Sequence, residues 1–369
     1  MRRILNIVVL MVLVGCNSVD KWEGIEVNKY LSLGDRRGVF ICNEGNFMFG
    51  NASLTFYDKD ESEPFNDIFY NTNGFPLGDV CQSMTIYDGK GFVVMNNSGK
   101  VYVIDIDNAS YIGAIKGLVS PRYVEIISPT KAYVTDMYSP SIAIFNPQTL
   151  KVTGYIFVGY NSQYAGLVNG TEEMVRSGDE VYTCSWSYNN KVYKIDSKND
   201  KLIDSAVVVK QPNSIVLDKN NKLWVLSDGG RSGSPYGQVN GALSRLDAKT
   251  LKTEAIFTFD DISSSPSRLT INKSGDTLYF INGDDKGSDK KTYGVYKLPI
   301  SANTLPSVPF IENEERLIYA LGVDPENEDI YISDAIDHTQ SSIIYRYNSY
   351  GVLIHSFKSG ITTGSFTFK

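Results

Sequence analysis

At 369 residues the chain is long enough to bury a large core, and its 42 acidic side chains outnumber 35 basic ones for a net charge of −7. That balance argues against nucleic acid or an anionic membrane face as a partner. Only two histidines occur, His338 and His355, too few to assign a Ser-His-Asp arrangement, and no CxxC, HExxH or phosphate-binding glycine loop is present.

Residues 1–16 read MRRILNIVVLMVLVGC: two arginines, then an apolar run from Ile4 to Val14 interrupted by Asn6. The run is too short to cross about 30 Å of hydrocarbon, so residues 1–15 read as a signal peptide. Leu13-Val14-Gly15-Cys16 resembles the lipobox of bacterial lipoproteins. It implies lipidation at Cys16, a tether over 16–37 and attachment to a membrane surface without spanning it. Loss of Arg2 and Arg3 with the signal leaves the mature chain two charges more negative. Residues 38–369 show no linker and read as one domain.

The most informative stretch of that domain is 120–159. Four apolar runs, Arg122–Ile126, Ala132–Thr135, Ile142–Phe145 and Val152–Val158, are separated by Pro, Gly, Asn, Asp and Ser. Four strands in about 40 residues form the unit of a β-propeller blade. The second strand of this unit carries an aromatic residue followed three places on by a small polar one, Tyr133 and Asp136. The same pair recurs as Phe40 and Asn43, Tyr182 and Ser185, Trp224 and Ser227, Tyr279 and Asn282, and Tyr331 and Asp334. Phe92 joins the series with one residue of slippage, reaching Asn96.

A second signal is independent of the first. The third strand ends in Asp or Asn at Asp58, Asp105, Asn146, Asp196, Asp247 and Asn348, and at Pro299 in the sixth unit. Such a side chain suits a tight turn because it can accept nearby backbone N–H groups. Both signals predict an all-β fold, a seven-bladed β-propeller. Unit one begins at its aromatic strand with no inner strand before it. The missing strand is expected at Gly364–Phe368, so that the C-terminus completes the first blade and closes the ring.

Three cysteines remain after Cys16, namely Cys42, Cys81 and Cys184, and they are expected as buried free thiols. His355, in the outer strand of unit seven, reads as structural; His338, in the loop after Asp334, could reach a ligand. The loop carboxylates Glu44, Asp79, Glu172, Glu173, Asp284 and Asp285 read as a solvated acidic surface.

The loops from strand two to three and from blade to blade share one face of a propeller. Here they carry Phe47, Phe49, Phe75, Tyr138, Tyr160, Tyr164, Trp186, Tyr188 and Tyr236. The inner-strand starts add Gln82, Arg122, Asn213 and Arg268. Flat rings around a few convergent polar groups predict a binding site for a bulky small molecule, with about half of the rings packed under their own loops. The aligned inner-strand starts Gln82, Arg122, Thr171, Asn213, Ser267 and Tyr319 are poor in carboxylates, so neither catalytic residues nor a metal are assigned and no cofactor is expected.

Tyr133-Val134-Thr135-Asp136 followed by Ile142-Ala143-Ile144-Phe145-Asn146 resembles the YVTN repeat of surface-layer-type seven-bladed propellers. The segments FICNEGNF (40–47), NASLTFYD (51–58), LGDVCQSM (77–84), VVMNNSGKVYVID (93–105) and GLVSPRY (117–123) resemble surface lipoproteins of Bacteroidetes. Some of these, the BtuG type, capture vitamin B12 and cap a TonB-dependent cobalamin transporter. The resemblance implies a lipid-anchored, non-enzymatic protein of the outer-membrane surface that binds cobalamin or a related corrinoid and passes it to such a transporter. The alternatives are a glycan-binding surface lipoprotein and a metal-dependent propeller hydrolase.

Overall fold

A computed structural model describes residues 31–162, 166–283 and 292–369. Residues 1–15, read above as a signal peptide, and Cys16, Tyr164, Asp284 and Asp285 lie outside the described residues.

Seven four-stranded antiparallel sheets stand around a central axis, and neighbouring inner strands touch one another around it. The protein is a seven-bladed β-propeller. Blade three, the unit first legible in the sequence, consists of Pro121–Ser128, Lys131–Asp136, Ser141–Asn146 and Lys151–Phe157. Blade one takes its inner strand, Thr363–Phe368, from the C-terminus. That strand pairs antiparallel with Gly38–Asn43, with Val39 opposite Phe368 and Cys42 opposite Ser365. The expected closure is present one residue longer than the sequence suggested.

The repeat owes its regularity to two local devices. All seven aromatic anchors, Phe40, Phe92, Tyr133, Tyr182, Trp224, Tyr279 and Tyr331, are fully buried. Each one packs toward the next blade: Phe40 joins Met84 and Val93 of blade two, Tyr133 joins Val181 and Ile195 of blade four, and Tyr331 joins Val39 and Ile41 of blade one. The anchors therefore sit at the seams of the ring, and burying a large aromatic side chain at each adds to the apolar gain there. The small polar residue three places on ties the strand end to the neighbouring loop. Asp136 accepts the backbone N–H of Val119 and Ser120 at 2.9 and 3.0 Å, and Asp334 that of Leu317 at 3.0 Å.

The third-strand Asp and Asn residues act as expected in their turns. Asn146 accepts from Gln148 and Thr149 at 2.8 and 3.1 Å, and Asp58 from Asp60 and Glu61 at 2.9 and 3.1 Å. Cys42, Cys81 and Cys184 are buried and unbridged. His355 is structural, stacked on Tyr57 and Phe357 with its Nδ1 3.0 Å from the Tyr57 hydroxyl.

Three expectations need correction. The segment read as the end of a tether is docked onto the ring: Leu33 is fully buried between blades one and two, and its N–H donates to the Asp107 carbonyl at 2.7 Å. An apolar residue with a place in a seam packs there even without a periodic pattern around it. A helix at Ile68–Asn73 was not anticipated; it tucks Ile68 and Phe69 beneath blade one and ends at Gly74, whose φ of 74° suits glycine. In blade four the inner strand starts at Met174 rather than at the aligned position Thr171, which frees Glu172 and Glu173 to turn into the axis.

Candidate functional site

The second-strand ends and the blade-to-blade loops converge on one mouth of the central channel. Two adjoining chambers open there and share Arg122, Arg268, Tyr319 and His338. The larger, about 620 Å³, lies beneath Phe47 and Phe49 and includes Glu44, Gln82 and Asn96. The smaller, about 270 Å³, lies beside Trp186 and includes Tyr123, Glu172, Glu173, Asn213 and Asp228. The larger falls within the usual range for small-molecule pockets, about 300–1,000 Å³.

The two rings over the larger chamber are held out by the loop that carries them. Phe47 and Phe49 are 63% and 78% exposed. The loop is locked from within: Asn46 N–H donates to Asn51 Oδ1 at 2.7 Å, and Asn51 Nδ2 returns a bond to Asn46 Oδ1 at 3.0 Å. Asp79 holds the Met48 N–H at 2.9 Å, and Asn46 Nδ2 reaches the His338 carbonyl at 2.6 Å. Gly45 is required by this closure, since its φ is 75° and a Cβ there would sit 2.5 Å from Asn51 Oδ1. A loop backbone fixed in this way has little freedom to lose when a ligand covers it.

The floor of the site is charged. Arg122 donates from Nε to Glu172 Oε2 at 2.8 Å and from Nη1 to Gln82 Oε1. Arg268 donates from Nε to the Tyr319 carbonyl at 3.0 Å and lies over the Tyr319 ring, 5.1 Å from its centre. The Tyr319 hydroxyl donates to Glu44 at 3.1 Å. Trp186 gives its indole N–H to Asp228 Oδ2 at 2.6 Å, and Asn213 Nδ2 goes to the Pro266 carbonyl at 2.8 Å.

Low dielectric shapes the charge states here. Burial pushes Glu173 up to about 7, against the pull of Arg268, and Asp228 up to about 6, against the Trp186 bond. Burial also raises Glu44, opposed by Arg268 and Arg122, and raises Glu172, opposed by its ion pair with Arg122. Glu172 is 3% exposed, and its Oε1 has no hydrogen-bond partner among the described residues.

Of the predicted site residues, Phe47, Phe49, Gln82, Arg122, Trp186, Asn213 and Arg268 are brought together around the two chambers. Phe75 is not: it packs on Phe69, Tyr102 and Tyr111 at the outer part of blade two, where its position in a blade-to-blade loop gave no hint of radius. Tyr236 is 7% exposed under its own loop, with Lys210 over its ring and Tyr188 beside it. Tyr188 and the exposed Tyr138 line neither chamber.

The carboxylates read as a solvated surface are also corrected. Glu44, Glu172 and Glu173 line the axis, because Arg122 and Arg268 from other blades offset their burial. Asp228, Tyr123 and Tyr319 were missed as site residues. One signal could have found part of this set: Glu44, Trp186 and Asp228 each stand four places after a blade's aromatic anchor. Among the described residues, no three His, Cys, Asp or Glu groups are disposed to hold a metal ion.

The family described as "Domain of unknown function (DUF5074)" matches residues 37–361. The chain belongs to the DUF5074 family. No functionally curated protein matches it. Among solved structures, this DUF5074 chain is similar to a quinonprotein alcohol dehydrogenase-like protein from Bacteroides thetaiotaomicron, at 15% identity over 90% of this chain and 79% of the other, with a TM-score of 0.64. A candidate 6-phosphogluconolactonase from Bacteroides fragilis is 12% identical over 91% and 99%, with a TM-score of 0.63. The β-propeller domain of Cps50 (Swd1) from Myceliophteria thermophila is 10% identical over 81% and 95%, with a TM-score of 0.57. At these identities the likeness is one of fold.

Proposed function

We propose that this chain is a lipid-anchored binding protein of the outer-membrane surface that captures cobalamin or a related corrinoid and hands it to a TonB-dependent transporter, without catalysing a reaction. The observation that carries this reading is the pairing of two exposed rings on a hydrogen-bonded loop with a buried polar floor at one mouth of the propeller. A corrinoid is too wide for the smaller chamber of about 270 Å³. It would lie across the mouth with one face on Phe47 and Phe49 and its amide arms reaching down to the charged groups. The sequence likeness to B12-capturing lipoproteins supports the same ligand, and the reading of Cys16 as lipidated supports the surface location.

A glycan platform fits less well, because the one tryptophan at the mouth is half-buried and already bonded to Asp228. Calorimetry with purified mature protein and cyanocobalamin tests the proposal. Saturable binding is expected, and Phe47→Ala with Phe49→Ala should weaken it by about tenfold or more without lowering the melting temperature, since both rings are exposed. Absence of heat and of ligand retention at about millimolar cyanocobalamin refutes the corrinoid; the same assay with oligosaccharides then tests the glycan alternative.

A further inference from the structure

The axial channel continues past the two chambers at the mouth. Further along the inner strands lies a lower chamber of about 350 Å³, which extends to the exposed Pro325 beyond the inner strand of blade seven. Its walls are largely apolar: Leu269, Leu321, Val323, Phe366 and Phe368. Phe366 and Phe368 are only half-buried and lean on Tyr331, with ring centres 5.9 and 5.6 Å away. The ionisable groups of the chamber are Tyr123, Glu173 and Arg268. All three also line the smaller chamber above, so they form the partition between the two.

The backbone aims Arg268 into this partition. It sits at a bulge in the inner strand of blade six, between Ser267 and Thr270, with a φ of 57°. A left-handed arginine inside a strand is strained, and a bulge re-aims the side chain it carries. The guanidinium spends only its Nε, on the Tyr319 carbonyl at 3.0 Å. Its Nη2 is 3.9 Å from Glu44, beyond hydrogen-bond distance, and the side chain is 20% exposed within the channel. Both terminal nitrogens are therefore open and reachable. The Tyr123 hydroxyl likewise has no partner among the described residues and is not sealed from the channel. Burial, and then Glu173, hold its proton in place, so it is a donor.

Two unspent guanidinium nitrogens offer parallel donors, the geometry that suits the two oxygens of a carboxylate. A phosphate would bring more negative charge beside Glu44 and Glu173. Glu173, pushed up to about 7 by burial, holds a proton at about pH 6 and does not repel a carboxylate there. The apolar walls beyond Arg268 suit a flat hydrocarbon body.

We propose that the lower chamber is a second binding site, for an organic monocarboxylate with a flat apolar body. The carboxylate rests on the two terminal nitrogens of Arg268 and accepts from the Tyr123 hydroxyl, and the body lies against Leu321, Val323 and Phe366. This site goes beyond the corrinoid reading and does not depend on it, since none of its apolar walls lines the mouth. Sites built to bond a particular polar group reject analogues that leave buried partners unpaired.

The test is calorimetry of the mature protein at about pH 6 with cinnamate, with its neutral amide cinnamamide, and with acetate, which lacks the apolar body. Cinnamate is expected to bind saturably, cinnamamide at least about tenfold more weakly, and acetate without measurable heat. Arg268→Lys, which keeps the charge but not the fork, should weaken cinnamate by about tenfold. Thr270 lines the lower chamber but neither of the upper two, so Thr270→Trp should fill it and abolish cinnamate binding. If that variant fails to fold, a crystal soaked in cinnamate locates the ligand instead, and density between Arg268 and Phe366 is expected. No heat with cinnamate at about millimolar concentration overturns the proposal, as does equal binding of cinnamamide. Unchanged affinity in folded Thr270→Trp, or density confined to the upper chambers, overturns it as well.

Discussion

Replacing Asp324 by Ala tests how the two ends of the propeller are joined. Lys59 follows the third strand of blade one, and Asp324 follows the inner strand of blade seven. Their ion pair, 2.8 Å long, lies across the closing seam with side chains 5% and 1% exposed. Removing the carboxylate leaves a buried ammonium, which costs about 3–5 kcal/mol when no partner remains. Glu326 still reaches Lys59 at 2.9 Å, but its side chain is 48% exposed, so it offsets only part of the loss. The expected net cost is about 3 kcal/mol, the lower end of that range. At about 2 °C per kcal/mol for a domain of this size, the melting temperature should fall by about 6 °C.

Differential scanning calorimetry of Asp324→Ala against the parent measures this directly. Lys59→Met combined with Asp324→Leu is the control, since replacing both charges by apolar groups of similar volume should recover most of the loss. Arg37 pairs with Asp60 and Glu326 on the exposed side of the same seam, and Arg37→Ala should leave the melting temperature nearly unchanged, because water and salt screen such pairs. A drop below about 2 °C for Asp324→Ala, or a double variant no more stable than the single one, would refute the reasoning.

Three further outcomes are expected. Deleting residues 364–369 removes most of the strand that pairs with Gly38–Asn43, so the urea transition should move to lower denaturant and lose cooperativity; a curve superimposable on that of the full chain sinks the closure argument. Cys16→Ser should leave the fold intact but release the protein from membranes, and continued fractionation with the outer membrane in cells lacking any partner transporter counts against the lipid anchor. Glu173→Gln should change how stability varies with pH. Burial raises this carboxyl from 4.5 to about 7, so the folded state holds a proton that the unfolded chain releases, and the contribution falls as pH rises through that window. The variant should therefore gain melting temperature relative to the parent between about pH 5 and pH 8, and a constant difference would show that Glu173 is ionised throughout.

The blade count, the seams and the closure were legible because their causes are local or repeated. A large ring in a second strand, or an Asp at a strand end, acts through neighbours a few residues away, and seven copies of the pattern make it stand out. Phe47 and Phe49 were legible for a related reason: large rings in a loop of polar residues and glycines have nowhere nearby to bury. Phe75 and Tyr236 have the same sequence signature, yet a helix at 68–73 and the Lys210 side chain supply cover that only folding brings into reach.

The electrostatics of the channel were decided by the tertiary structure. Glu172 meets Arg122 50 residues away, and Glu44 meets Tyr319 across 275 residues. In sequence, an acidic residue in a loop belongs in water, because an unpaired buried carboxylate is costly. Closing the ring brings arginines from blades three and six to the same axis, and with them close by the same carboxylates can be withdrawn from solvent. Composition and spacing determine that seven blades form and which rings face their seams. Which charges end up sharing the small volume at the centre depends on the ring having closed, since only then do residues from every blade lie within a few ångströms of one another.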